Sequence, residues 1–337
     1  MRITTNAILR NYKSNLANSM SALDTARNKV MTGRQFSSAA ENPAAALRSS
    51  VLERKYVKTL DNISSAKDAQ SFLDSQESAA MQISDLALTL TKQYGLEALN
   101  GTSGTEEIRK TYADAWRSAQ ESLILSLNSS YEGKYVFAGS DGKNPPFALS
   151  TDPKTGKQIL TYRGLDVNDP ANKAKLDELA KDTTYVDLGF GLTENNGVID
   201  PSSAFNTSLP GLNLVGYGQD ANGTTKNMVL LAGEIADCLE KEPFDKEEYE
   251  KLLNSFEDGR NSVLEQVTTL GTKSSFLENS LERLEDNKLG LSTQLDNVVN
   301  IDMADAITQF SWAQYAYNAA LKVGTNILSP SFIDFMR

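Results

Sequence analysis

The sequence predicts a mainly α-helical protein. We expect a long antiparallel helical bundle or coiled coil built from both termini, with a smaller inserted outer domain that contains β structure. Apolar residues recur every three or four positions at both ends of the chain, as on one face of a helix. The middle is instead rich in Gly, Asn, Asp, Thr and Pro and mostly lacks this spacing.

The first predicted helix covers residues 6–32, and only Ser19 interrupts its apolar row. The row consists of Leu9, Tyr12, Leu16, Leu23, Ala26 and Val30. Gly33 ends the pattern, and the small polar residues up to Pro43 predict a loop. A second long helix should follow from there to about Gly95.

A third helix is predicted to begin at Thr105, after a Gly-rich turn over 100–104. The Thr105 hydroxyl is expected to cap the helix, and Glu106 and Glu107 suit the positive end of its dipole. Beyond this helix, β-like runs occur at 134–137, 158–162 and 184–188, and short helices are expected at about 171–181 and 224–241.

The strongest periodic signal lies between residues 253 and 298. Fourteen positions there alternate three and four apart, and eleven of them are apolar. A repeat sustained over six heptads indicates a coiled-coil seam, on a helix about 70 Å long at 1.5 Å per residue. A rod of that length needs partner helices, most simply the second helix running antiparallel.

Near Asn300 the register slips and a new row begins. It consists of Met303, Ala306, Phe310, Ala313, Tyr317, Ala320, Gly324 and Ile327. Small residues alternate with bulky ones, and the row matches the N-terminal row in length, so the two should pair. Isolated helices of this length are marginal in water. We therefore expect both ends to be poorly ordered in the free chain and to fold on assembly.

These patterns predict four segments. Residues 1–43 form an N-terminal assembly helix and loop, and residues 301–337 form a C-terminal assembly helix. Residues 44–132 with 244–300 form a helical-bundle rod, which carries an inserted outer domain at 133–243.

Composition disfavours several function classes. The net charge of −11 argues against nucleic acid and anionic membrane surfaces as partners. The chain has no histidine and one cysteine, so histidine-dependent triads and typical zinc sites cannot form. Cys238 has an apolar helical spacing that predicts a buried core position. No cofactor and no metal are expected, and we expect no enzyme activity.

Other motifs fit structural explanations better than chemical ones. The paired acids Glu106/Glu107 and Glu247/Glu248 fit solvated helix faces, and the loop 166–169 lacks calcium-loop spacing. The aromatic residues Phe310, Trp312, Tyr315 and Tyr317 favour a packing interface over base stacking, because the chain is acidic. No apolar stretch is long enough for a membrane span, and the start lacks the apolar core of a Sec signal peptide.

Both termini resemble the flagellin superfamily. At the N-terminal end the resemblance lies in Met1–Asn6, Thr32–Arg34 and the loop 35–47, and at the other end in 302–306 and in Phe310, Gln314, Ala320 and 327–329. The segment 133–140 and the closing segment 330–337 are similar to the hook–filament junction family within it. The middle is not matched, and the loop departs from the family pattern at Gln35–Ser37, Ala39 and Glu41–Asn42.

This resemblance implies a structural protein of the bacterial flagellum. It would be exported uncleaved through the flagellar type III apparatus and would join hook to filament outside the cell. Implied partners are further copies of the chain, a neighbouring hook-associated protein, flagellin and an export chaperone. We expect subunit contacts through Leu9, Tyr12, Leu16, Leu23, Val30, Met303, Ala306, Phe310, Ala313, Tyr317, Ala320 and Ile327. The chaperone is expected at Phe310, Ala313, Tyr317 and Ala320.

Three alternatives stay open at this point. The chain could be flagellin itself, which would elongate a filament on its own. It could be a surface adhesin or hydrolase housed in the middle domain, which predicts a deep polar cleft or bound ion at 141–243. It could also be a cytoplasmic coiled-coil scaffold, which predicts ordered ends in the free chain.

Overall fold

The computed structural model describes residues 2–99, 105–152, 156–220 and 223–328. The predicted turn at 100–104 and the closing segment at 330–337 lie outside these residues. The chain forms two compact units, Met1–Leu60 with Glu285–Arg337 (the terminal unit) and Asp61–Leu284 (the central unit). The division cuts through the long helices, whereas the predicted boundaries at 43, 132, 243 and 300 stay predictions.

Long helices dominate, which confirms the predicted fold class. The α-helices, long and short, are α1 (Arg2–Thr32), α2 (Pro43–Thr89), α3 (Leu96–Leu99), α4 (Glu106–Leu127), α5 (Lys173–Leu179), α6 (Gly211–Val215), α7 (Met228–Glu240), α8 (Lys246–Val299) and α9 (Met303–Leu328). A π-helical segment, Leu90–Gly95, joins α2 to α3, and a 3-10 turn, Pro170–Asn172, precedes α5.

The strands of the middle region are short and antiparallel. They are β1 (Ser130–Tyr131), β2 (Lys134–Tyr135), β3 (Phe147–Thr151), β4 (Gln158–Tyr162), β5 (Leu165–Asp166), β6 (Tyr185–Val186), β7 (Glu194–Asn195), β8 (Val198–Ile199) and β9 (Phe205–Asn206). Strands β3, β4 and β5 form a three-stranded sheet in that order, and β1–β2, β6–β9 and β7–β8 form two-stranded pairs.

Within the central unit, α2 and α8 run antiparallel. The Gln70 side-chain amide donates to the Ser274 hydroxyl, while at the far end the Tyr249 hydroxyl donates to the Gly95 carbonyl at 3.2 Å. Every position of the predicted coiled-coil row from Leu253 to Leu284 is buried or half-buried. The periodicity therefore identified both the long helix and the face that it buries.

The core of the central unit is shared between helices and strands. The Trp116 ring on α4 is fully buried and meets the Phe256 ring edge-on, with centroids 4.8 Å apart. Phe147, Tyr162 and Leu231 from the middle region belong to the same cluster. The short strands thus bury their apolar faces against the helices, since strands of two to five residues offer too little surface for a core of their own.

Buried polar groups fix α7 against α4 and β4. The Gln120 amide donates to the Val229 carbonyl at 2.9 Å and to the Gln158 side-chain oxygen at 2.6 Å. Gly233 lies beside this pair, where an added Cβ would fall 2.3 Å from the Gln158 oxygen. The glycine leaves room for the buried Gln120 amide and the half-buried Gln158 amide to bond to each other.

Several local predictions are confirmed and one is wrong. Strand β4 matches the predicted run, and α7 lies within the predicted 224–241. Cys238 is buried, and burial raises the pKa of its thiol to about 11. Thr105 occupies the expected N-cap of α4, but its side chain makes no capping hydrogen bond. Its backbone carbonyl accepts from the amides of Ile108 and Arg109 instead.

The two tryptophans provide a matched test of this core. Trp116→Ala should lower the free energy of unfolding by about 3–5 kcal/mol, because it removes a fully buried ring. Trp312→Ala, at a ring that is 70% exposed, should change it by less than about 0.5 kcal/mol. Urea unfolding followed by circular dichroism measures both. Equal losses would contradict the assignment of Trp116 to the core.

Candidate assembly interface

The terminal helices α1 and α9 form an antiparallel pair in the terminal unit. Near the start of α1, the Tyr12 hydroxyl donates to the Ala320 carbonyl at 3.1 Å. Just beyond its end, the Ile301 amide donates to the Gly33 carbonyl at 2.9 Å. The Gln35 amide donates to the Val299 carbonyl at 2.7 Å and completes a short antiparallel bridge.

The predicted rows face each other across this pair. Their described members are buried or half-buried, except that Met303 is 45% exposed. The half-buried members are Leu9, Tyr12, Leu16, Leu23, Val30, Phe310, Ala313, Tyr317 and Ala320, and Ala306 is fully buried. The Ile327 side chain lies outside the described residues. The rows thus cover each other within one chain, and their role in contacts between subunits stays a prediction.

Tyr12 and Gly324 meet at the closest point of the pair. A Cβ added to Gly324 would lie 1.8 Å from the Tyr12 hydroxyl oxygen and 2.4 Å from the adjacent ring carbon. The glycine is therefore required for the ring to reach the Ala320 carbonyl. Ala320 and Gly324 are two consecutive small members of the α9 row, and this pair gives the sequence signal for the close approach.

Residues within the loop between α1 and α2, and within the break before α9, determine the local backbone conformation. Gly33 ends α1 with φ +68°, a conformation that residues with a Cβ rarely adopt. Asp302 caps α9 by accepting a hydrogen bond from the Ala304 amide at 2.8 Å. The Glu41 carboxylate accepts hydrogen bonds from the Ser37 amide and hydroxyl, and these bonds lower the pKa of Glu41.

Pairing leaves a large apolar surface uncovered on the terminal unit. Trp312 and Tyr315 on α9 are 70% and 73% exposed. Other exposed apolar side chains of this unit are Ile8, Met20, Met31, Leu47, Val57, Leu289, Ile307 and Val323. The aromatic residues of α9 were predicted from the sequence as a packing interface, whereas the other exposed apolar side chains lie outside the predicted rows.

The acidic motifs have structural partners. Glu106 pairs with Lys110 at 2.6 Å, and Glu248 pairs with Lys241 at 2.8 Å. In the 166–169 loop, Asp166 and Asp169 accept hydrogen bonds from backbone amides two residues ahead. Over the described ranges, no group of three or more metal-binding side chains occurs. No helix within those ranges is long and apolar enough to span a membrane.

Gly324→Ala tests the close packing of the pair. The methyl group should push the Tyr12 ring away from Ala320 and cost about 1–3 kcal/mol by overpacking, so that amide exchange in α1 and α9 becomes faster. Gly290→Ala on α8 is the control, because its Cβ would meet nothing within 4 Å. Adding Tyr12→Val to Gly324→Ala should restore protection. Unchanged exchange in Gly324→Ala would contradict the packing.

Sequence comparison relates the chain to flagellar proteins. Residues 3–141 match the family model of the bacterial flagellin N-terminal helical region. Flagellar hook-associated protein 3 of Salmonella typhimurium is 21% identical over 345 residues, with both chains covered completely. The protein of the same name from Escherichia coli K12 is 21% identical over 339 residues, again with complete coverage.

Solved structures show the same fold. A Vibrio parahaemolyticus protein described as a candidate flagellar hook-associated protein has a TM-score of 0.59 and 19% identity, over 77% of this chain and 100% of its own. FlgL of Bacillus cereus has a TM-score of 0.52 and 15% identity, over 73% and 99%. The resemblance inferred from the termini is confirmed: the chain matches the flagellin N-terminal model over residues 3–141 and is similar over its whole length to flagellar hook-associated protein 3.

Proposed function

We propose that this chain is a structural protein of the bacterial flagellum that joins the hook to the filament. The full-length similarity to hook-associated protein 3 favours this role over that of a filament subunit. The observation that carries the mechanism is the apolar surface left exposed on the paired terminal helices. Exposed apolar side chains at many positions of one unit favour an interaction site there, and each large side chain that becomes buried contributes about 1.5–3 kcal/mol.

In this proposal the terminal unit assembles the protein and the central unit does not. The two helix rows, from Leu9 to Val30 and from Met303 to Ile327, hold the pair together and keep their remaining exposed surface for neighbouring copies. A neighbouring hook-associated protein and flagellin would contact the same unit. Export without cleavage through the flagellar type III apparatus, and a final extracellular location, complete the proposal.

The export chaperone is proposed to bind the row on α9. Phe310, Ala313, Tyr317 and Ala320 are the residues that α1 covers in the folded pair. They become available when α9 is separated from α1, as it would be in a chain awaiting export. Chaperone binding and helix pairing would then exclude each other, and the chaperone would keep α9 from premature contacts.

A role in adhesion or hydrolysis is not favoured. The central unit does contain an open cleft of about 660 Å³, with Phe72, Tyr131, Lys134 and Asp141 among its lining residues. The cleft combines aromatic rings with charges of both signs. The named relatives are structural flagellar proteins, so similarity over the whole chain supports a structural rather than an enzymatic role.

Leu16→Asp and Phe310→Asp separate assembly from export. Each places a carboxylate in the half-buried seam between α1 and α9, so neither variant should be found in isolated flagella. Phe310→Asp should also bind the chaperone at least ten-fold more weakly, whereas Leu16→Asp should bind it normally. Val198→Asp, at a 68% exposed position of the central unit, is the control and should incorporate. Normal incorporation of both seam variants would refute the mechanism.

Seeded polymerisation distinguishes a junction protein from flagellin. The purified chain should not elongate filament fragments on its own, because a junction protein forms a limited layer and not a filament. It should bind to the ends of hook fragments that carry the neighbouring hook-associated protein. Electron microscopy of both mixtures measures the outcome. Continuous growth from filament seeds would favour the filament-subunit alternative.

A further inference from the structure

Helix α1 has a second row of residues with helical spacing, and this row lies on its exposed surface. Its members alternate three and four residues apart, as in the buried row, but every one of them is exposed. This basic row consists of Arg10, Lys13, Ala17, Met20, Asp24 and Arg27. The row contains three basic residues, one acidic residue and Met20, whose side chain is 61% exposed. Such a regular row is the pattern of a second helix–helix seam, and among the described residues it lies outside the buried seam with α9.

Helix α9 also has a second exposed row with the same spacing. This aromatic row consists of Asp305, Thr308, Trp312, Tyr315, Ala319 and Lys322, all of them exposed. Trp312 and Tyr315 lie at its centre and are 70% and 73% exposed. Exposed aromatic rings at the centre of an uncovered helix face are the usual anchors of protein–protein contacts.

The two rows lie on opposite sides of the helix pair. At about 100° per residue, the basic row lies about 100° around α1 from its buried row, and the aromatic row about 160° around α9 from its own. A groove between the helices is lined by Asn18, Thr25, Gln309 and Ala313. On α9, this groove lies on the side nearer to the aromatic row. On α1, it lies on the side away from the basic row.

The rows are chemically complementary to each other and not to themselves. Two basic rows would bring like charges together, which disfavours a symmetric contact through α1. Arg and Lys side chains bind favourably over Trp and Tyr rings. The surrounding segments agree: residues 1–60 contain ten basic and three acidic residues, whereas residues 285–337 contain three basic and six acidic ones. Their net charges are therefore +7 and −3.

We infer that the basic row on α1 of one copy packs against the aromatic row on α9 of the next copy. Two different patches on opposite sides of one unit make a head-to-tail contact, which repeats from copy to copy until it closes a ring or continues as a helix. The inference rests on the proposed function and deepens it, because it names which surface of a second copy covers the exposed aromatic residues.

Site-specific photo-crosslinking in assembled flagella tests this contact. The full chain, with p-benzoylphenylalanine in place of Tyr315, replaces the native copy in flagellated cells, and the isolated flagella are irradiated. We expect a covalent dimer of this chain whose crosslink maps by mass spectrometry to residues 10–27. The same probe at Val198 is the control and should give no crosslink to that segment.

Charge variants supply a second measurement. Arg10→Glu with Lys13→Glu should lower the yield of the Tyr315 crosslink at least ten-fold. Arg48→Glu with Arg54→Glu changes two exposed cations of α2 outside the basic row and should leave the yield unchanged. A loss of equal size in both pairs would show a general charge effect and would overturn the specific contact.

The outcomes separate this inference from the proposed function. A Tyr315 crosslink to another flagellar protein, or to any other segment of a second copy, overturns the inference while the junction role stands. Absence of a crosslink in flagella that contain the protein does the same. Absence of the unmodified chain from the hook–filament boundary would overturn the proposed function, and the inference with it.

Discussion

The terminal unit depends on how closely α1 and α9 can approach. Their separation is set where the Tyr12 ring lies against Gly324 and donates its hydroxyl hydrogen to the Ala320 carbonyl. Small residues in every second position of the α9 row allow bulky residues of α1 to fill the seam without displacing the backbone. The same close fit turns the remaining faces of both helices outward, and these faces carry the surface available for assembly.

Much of the architecture could be predicted from the sequence, because helices of this length repeat one signal many times. The row from Leu253 to Val298 specified α8 and its buried face, and the change of register near Asn300 located the break before α9. The pairing of the terminal rows also followed from their equal length. In each case a physical periodicity, recorded at many positions, outweighed the local ambiguity of single residues.

The features that could not be predicted depend on contacts distant in sequence. Nothing in the segment Leu90–Gly95 alone indicates a π-helical turn; it forms where the Gly95 backbone packs beside Leu253 and accepts a hydrogen bond from Tyr249. The short strands likewise bury their residues against helices from other parts of the chain, with β3 packing on α4 and β4 on α7. At Thr105 the residue type fitted a cap, but its hydroxyl makes no capping bond, and the backbone carbonyl accepts from the Ile108 and Arg109 amides.

The interruption at residues 300–302 also separates α8 from α9 thermodynamically. Helix–coil cooperativity is transmitted through successive hydrogen bonds along one helix and stops where that series ends. Here the Ile301 amide bonds to Gly33 and not to a preceding turn, and Asp302 starts a new series. Melting of α9 is therefore insulated from α8, so α9 can unwind and rewind together with its partner α1 while α8 keeps its helical state.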